Sequence, residues 1–153
     1  MIALRIKANV LDAARAFLEG VGARGREGTT FLAGPIIDDV AEAHEFVLPD
    51  QVAGTYPDCW VEVTPEGKLQ LAASLRNDWR YVARLHSHPG EAFHSHTDDR
   101  NPGLTAEGSF SIVVPFFGLG LRRGLEACAV LVRRNGDWVP LSEHETSQMV
   151  AVE

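Results

Sequence analysis

The sequence predicts a mixed α/β (α+β) domain: a curved, mixed β-sheet flanked by two main helices. Three observations carry this expectation. Segment 9–22 repeats its apolar residues with helical period, and segment 64–77 opens with a strong helix-start signal. Seven or eight short runs read as strands, separated by turn signals such as Pro35–Asp39, Pro89-Gly90 and Asn135-Gly136. The length of 153 residues, 45% of them hydrophobic, suits one domain over 1–153 with a real core and no need of disulfide staples.

Residues 2–7 alternate as a strand. From Asn9, the expected N-cap, Val10, Leu11, Ala14, Phe17, Leu18 and Val21 form one apolar helical face, and Gly22 and Gly25 end the helix. Residues 28–34 and 43–48 read as strands, 51–57 as loop and 59–63 as a strand. Thr64-Pro65-Glu66 supplies an N-cap, a proline at the first helical position and an acid in the first turn, for a helix to about Asn77. Residues 81–88 form a strand that meets Pro89-Gly90, and 91–108 are polar and irregular, with at most one short helical turn. The apolar strands 109–117 and 126–134 follow; Asn135-Gly136 then turns a hairpin into 138–141. Ser142-x-x-Glu145 is a capping box for a short terminal helix.

Composition excludes several functions. With 14 Lys+Arg against 21 Asp+Glu, the net charge of −7 opposes general nucleic-acid binding, which needs a basic footprint. No apolar run approaches the roughly 20 residues of a membrane span. Cys59 and Cys128 sit in apolar surroundings and Met1–Lys7 reads as a strand, not a signal peptide, so a cytoplasmic location is expected. Neither cysteine has a neighbouring base that suggests a nucleophile.

Four of the six histidines fall between 86 and 96. His86 and His88 end a predicted strand, whose period of two aims both imidazoles from one face at a single metal. Ser95-His96-Thr97-Asp98 follows the turn, and two imidazoles with one carboxylate suit catalytic zinc, leaving a position for water. Such a site also needs a general base and a donor for the developing oxyanion. Glu27, where the first helix has ended and a strand begins, is the candidate base. Ser95-x-x-Asp98 also fits a capping box, which would aim the carboxylate. His94 and His96 read as exposed loop residues, His44 and His144 as surface histidines, and Trp60, Trp79 and Trp138 as core or edge packing.

His86-Ser87-His88-Pro89 followed by Ser95-x-x-Asp98 resembles the JAMM motif of the MPN (Mov34/JAB) metallopeptidases. Glu27, with Leu32 five and Gly34 seven positions on, is similar to that family's glutamate segment, and the order of elements matches over about 2–133. The resemblance implies an MPN/JAB-like fold in which His86, His88 and Asp98 hold one zinc ion (Zn2+) per chain. Glu27 would accept the proton of the attacking water, and Ser95 would hydrogen-bond the oxyanion. It also implies hydrolysis of the amide or isopeptide bond after the Gly-Gly tail of a ubiquitin-like protein, in deconjugation or precursor processing. The short chain resembles stand-alone prokaryotic members, for which E1-like and E2-like proteins are implied partners. A metal-dependent amidase acting on a small molecule is the alternative; a non-catalytic MPN scaffold is disfavoured, because all five functional residue types are present. Ser95 follows His88 by seven positions, one fewer than in the common pattern, and counting by that pattern would make Asp99 the third ligand. Asp98 is preferred because it keeps the Ser-x-x-Asp relation. Thr30 replaces an expected glycine, and His94 a proline often found before the serine.

Overall fold

A computed structural model describes residues 1–92 and 104–153. The candidates Ser95, Asp98 and Asp99, with His94 and His96, lie outside the described residues. The elements run β1 (Leu4–Ile6), α1 (Ala8–Gly22), β2 (Thr29–Gly34), β3 (Ile36–Ile37), β4 (Val40–Ala43), β5 (Glu45–Val47), β6 (Gln51–Ala53) and β7 (Val61–Val63). Then come α2 (Pro65–Ser74), β8 (Arg80–Ser87), β9 (Phe110–Val114), β10 (Ala129–Arg134), β11 (Asp137–Pro140), α3 (Glu143–Met149) and β12 (Val150–Val152).

The main sheet has six strands in the order β11-β10-β9-β8-β2-β5, antiparallel except for the parallel β8–β9 pair. A four-stranded sheet, β12-β1-β4-β3, lies beside it, and β6 pairs with β7. The two larger sheets meet where β4 passes into β5: His44 donates its N–H to Ala33, and Glu42 donates to Pro35. The chain thus turns from one ladder into the other, which produces the predicted curvature. At this corner a Cβ on Gly34 would lie 1.6 Å from the Glu42 carbonyl oxygen, so only glycine fits. Gly34→Ala is therefore expected to cost roughly 3 kcal/mol or more of stability, read as a lowered urea midpoint; an unchanged midpoint would contradict the close packing.

The principal core lies between α1 and the sheets, with Val10, Ala14 and Leu18 packed against Leu4, Ile6, Leu32, Leu85 and Ile112. Phe31, Val63, Leu71 and Leu104 form a second cluster, to which α2 contributes Leu71.

Several boundaries differ from the sequence reading, each for a physical reason. Lys7, not Asn9, is the N-cap of α1; it has no side-chain cap, and the Ala8 N–H is instead satisfied by the Glu153 carbonyl. The Pro35–Asp39 turn is a small hairpin, with Asp38 and Asp39 at φ 51° and 65°, and the strand expected over 43–48 is divided at His44 between β4, which begins at Val40, and β5. The expected loop 51–57 opens with β6, and the strand 59–63 is shortened to Val61–Val63. Thr64 caps α2 as expected, accepting the Gly67 N–H, but the helix stops at Ser74 because Leu75 is extended. The strand expected over 109–117 ends at Val114, because Phe116, Phe117 and Gly118 all turn left-handed. A 3-10 turn over Leu125–Ala127 delays the next strand to Ala129. Asn135-Gly136 forms the expected hairpin with both φ values positive, and both halves of the Ser142/Glu145 capping box are made. β12, which no sequence pattern announced, returns beside β1 in parallel. Among the described residues, no helix is long and apolar enough to cross a membrane.

Candidate metal centre

β8 lies in the middle of the main sheet, where His86 stands opposite Thr29 of β2 and Val113 of β9. His88 follows the strand's last residue and stays tied to it, donating its N–H to Val114 at 2.9 Å while its carbonyl accepts from Phe117 at 2.7 Å. The period of two brings the imidazoles together, their centroids 4.9 Å apart and their planes nearly perpendicular. Glu27 enters just before β2, with Oε1 3.2 Å from His86 Nε2. One ligand atom from each of Glu27, His86 and His88 lies within 4.8 Å of the others.

All three are buried, with exposures of 8%, 7% and 5%. A buried carboxylate beside two imidazoles is costly unless its charge is met. Two imidazole nitrogens and a carboxylate oxygen form a donor set that suits a divalent metal of the zinc type, so the residues present fit such an ion. The structure therefore brings together three of the five residues predicted for the site; Ser95 and Asp98 are outside the described residues.

Other features were not foreseen from sequence. Arg84, two positions before His86, is also buried and donates from Nη2 to Ser111 Oγ at 3.2 Å; the period of two places it on the histidines' face. Phe116 and Phe117 take φ values of 57° and 53°, a costly conformation for aromatic residues. Their N–H groups hold the Gly90 and His88 carbonyls, which compensates the strain and fixes the turn after the second histidine. The Phe117 ring meets Tyr56 edge-on at 6.3 Å, and Tyr56 donates its N–H to Gly25, two residues before Glu27. This aromatic pair thus links the segments that carry Glu27 and His88. Sequence reading absorbed both phenylalanines into an apolar strand; the flanking Pro115 and Gly118 were the available signal.

The cysteines behave as their surroundings suggested. Burial, then Glu27 and Asp58, push the Cys59 thiol up, and burial pushes Cys128 up to about 12. Neither forms a ready thiolate near neutral pH.

No protein-family model matches the chain. A curated relative from Sinorhizobium fredii, named a probable metalloprotease, is 35% identical over 109 residues. The match covers 67% of this chain and 65% of that relative, so the chain spans less than two thirds of its length. Among solved structures, a solution structure of a protein from Desulfitobacterium hafniense superposes with a TM-score of 0.62 at 13% identity, covering 98% of this chain and 92% of that one. A JAB1/MPN domain protein from Archaeoglobus fulgidus superposes with a TM-score of 0.52 at 18% identity, covering 96% and 98%. These two likenesses establish the fold.

Proposed function

We propose that the chain, which shares the fold of a JAB1/MPN domain protein and resembles a probable metalloprotease, is a JAMM-type zinc-dependent peptidase acting on the tail of a ubiquitin-like protein. The bond cut would be the amide or isopeptide bond after that tail, in precursor processing or deconjugation. The observation that carries the reading is the buried group of Glu27, His86 and His88, with carboxylate and imidazole 3.2 Å apart. The name of the Sinorhizobium relative supports peptidase chemistry.

His86 and His88, with Asp98 as third ligand, would hold the ion, which when bound supplies Lewis acidity and eases deprotonation of water. Glu27 takes a proton from the attacking water as its oxygen bonds to the carbonyl carbon. Ser95 donates a hydrogen bond to the oxyanion that develops on the carbonyl oxygen. Glu27 then delivers the proton to the leaving nitrogen as the C–N bond breaks, so protons balance over one turnover. The rigid placement of β8 between β2 and β9 keeps the imidazoles fixed while the proton moves. E1-like and E2-like proteins of the same system are the proposed partners, and the cytoplasm the proposed location.

Purified protein is expected to carry about one zinc per chain and to cleave a ubiquitin-like fusion after its Gly-Gly tail. A chelator should abolish cleavage, and added zinc should restore it. Full activity in metal-free protein would sink the reading, and turnover of small amides alone would move the substrate to the small-molecule class.

A further inference from the structure

The residue between the two histidines also fixes the carboxylate. Gly28 and Ser87 stand opposite one another across β2 and β8, continuing the register that pairs Thr29 with His86. A facing antiparallel pair of this kind ordinarily exchanges two backbone hydrogen bonds. Here the Ser87 N–H donates to the Gly28 carbonyl at 3.0 Å, but the Gly28 N–H donates to Ser87 Oγ at 2.9 Å. The hydroxyl stands in for a backbone acceptor at the point where β8 leaves β2 and His88 turns its N–H to Val114 on β9.

The same short segment is gripped from two other directions. Gln51 closes on Thr29 like an added peptide group, Oε1 accepting its N–H and Nε2 donating to its carbonyl, each at 2.9 Å. Helix α1 presses from a third side: a Cβ on Gly28 would lie 2.8 to 3.1 Å from Phe17, Val21 and Leu18. The two residues that follow Glu27 thus have little freedom left.

We propose that Ser87 is a positioning residue for Glu27, its hydroxyl fixing the peptide unit from which the carboxylate reaches the site, with Gln51 securing the other edge. The inference rests on the reading of Glu27 as the proton acceptor. Ser87 is fully buried, and strand alternation turns its side chain to the face opposite the imidazoles, so it acts through Gly28. Alanine at this position leaves the buried Gly28 N–H without its acceptor and loosens the carboxylate's anchor.

The test compares Ser87→Ala, Ser87→Thr and Gln51→Ala with the native full chain, all zinc-loaded, on a Gly-Gly-tailed ubiquitin-like fusion. Displacements of about 1 Å cost on the order of 100-fold in rate, so Ser87→Ala should lower kcat by roughly 10- to 100-fold. KM and zinc content should stay native, and exchange of the Gly28 amide should quicken. Threonine keeps the hydroxyl and should restore most of kcat; Gln51→Ala, which removes the half-buried amide on the far edge of the segment, should lower kcat by a smaller factor. Native kcat in Ser87→Ala, unchanged Gly28 exchange, or a loss that follows lost zinc and is not rescued by threonine each overturns the proposal. A native chain that hydrolyses nothing with zinc bound fails the functional reading itself, which the native protein alone reveals.

Discussion

Glu27→Ala is expected to keep its zinc and to lose hydrolysis by a factor of roughly 100 to 10,000, the usual contribution of a positioned general base. The carboxylate touches His86 and lies within the buried group, yet the ligand set proposed for the ion needs only His86, His88 and Asp98. Glu27→Gln is the sharper variant, because it keeps the shape and a hydrogen-bonding group beside His86 while removing the proton acceptor. Its Tm should stay near native, since a buried charge is exchanged for a neutral amide of similar volume. Metal content, Tm and kcat measured together separate the cases. A native rate in either variant rejects Glu27 as the base, and zinc lost along with the rate makes it a ligand instead.

Much of this site was legible because its signals are local. A strand's period places His86 and His88 on one face whatever surrounds them, and the end of an amphipathic helix before an apolar strand marks where Glu27 enters. Thr64, Ser142 with Glu145, and Asn135-Gly136 were equally readable, since caps and tight turns depend on a few neighbouring residues. What escaped depends on pairing. β12 is three residues long and exists because β1 offers it an edge. Phe116 and Phe117 look like strand until His88 and Gly90 claim their N–H groups. The turn at Pro35–Asp39 was readable, but the pairing of β3 with β4 across it was not, since it needs Asp38 and Asp39 both in the left-handed region. Ser87 reads as a spacer between two ligands; its bond to Gly28 requires knowing that the two stand opposite each other.

The second large effect concerns the ligands. His88→Ala is expected to weaken zinc binding by more than the roughly 10- to 100-fold that loss of a ligand's hydrogen-bonding partner costs, because it removes a donor atom itself. His86→Ala should do the same, but it also strips Glu27 of the imidazole at 3.2 Å and leaves a buried carboxylate exposed to its full desolvation cost. Its lower stability without metal is therefore not a measure of ligation. The shift in Tm on adding zinc is the better readout. A ligand at 100 times its Kd stabilises the native state by about 2.7 kcal/mol, and that increment vanishes when the site no longer binds. Applied to Asp98→Ala and Asp99→Ala separately, the same measurement decides between the two carboxylates. Asp98→Ala should lose the zinc-induced shift and Asp99→Ala should retain it, since Asp98 is the carboxylate at the Ser-x-x-Asp spacing from Ser95. The reverse result would make Asp99 the third ligand and place His96, not Ser95, at the oxyanion-binding position. A zinc-induced shift that survives in His88→Ala would remove the histidine pair from the metal centre altogether.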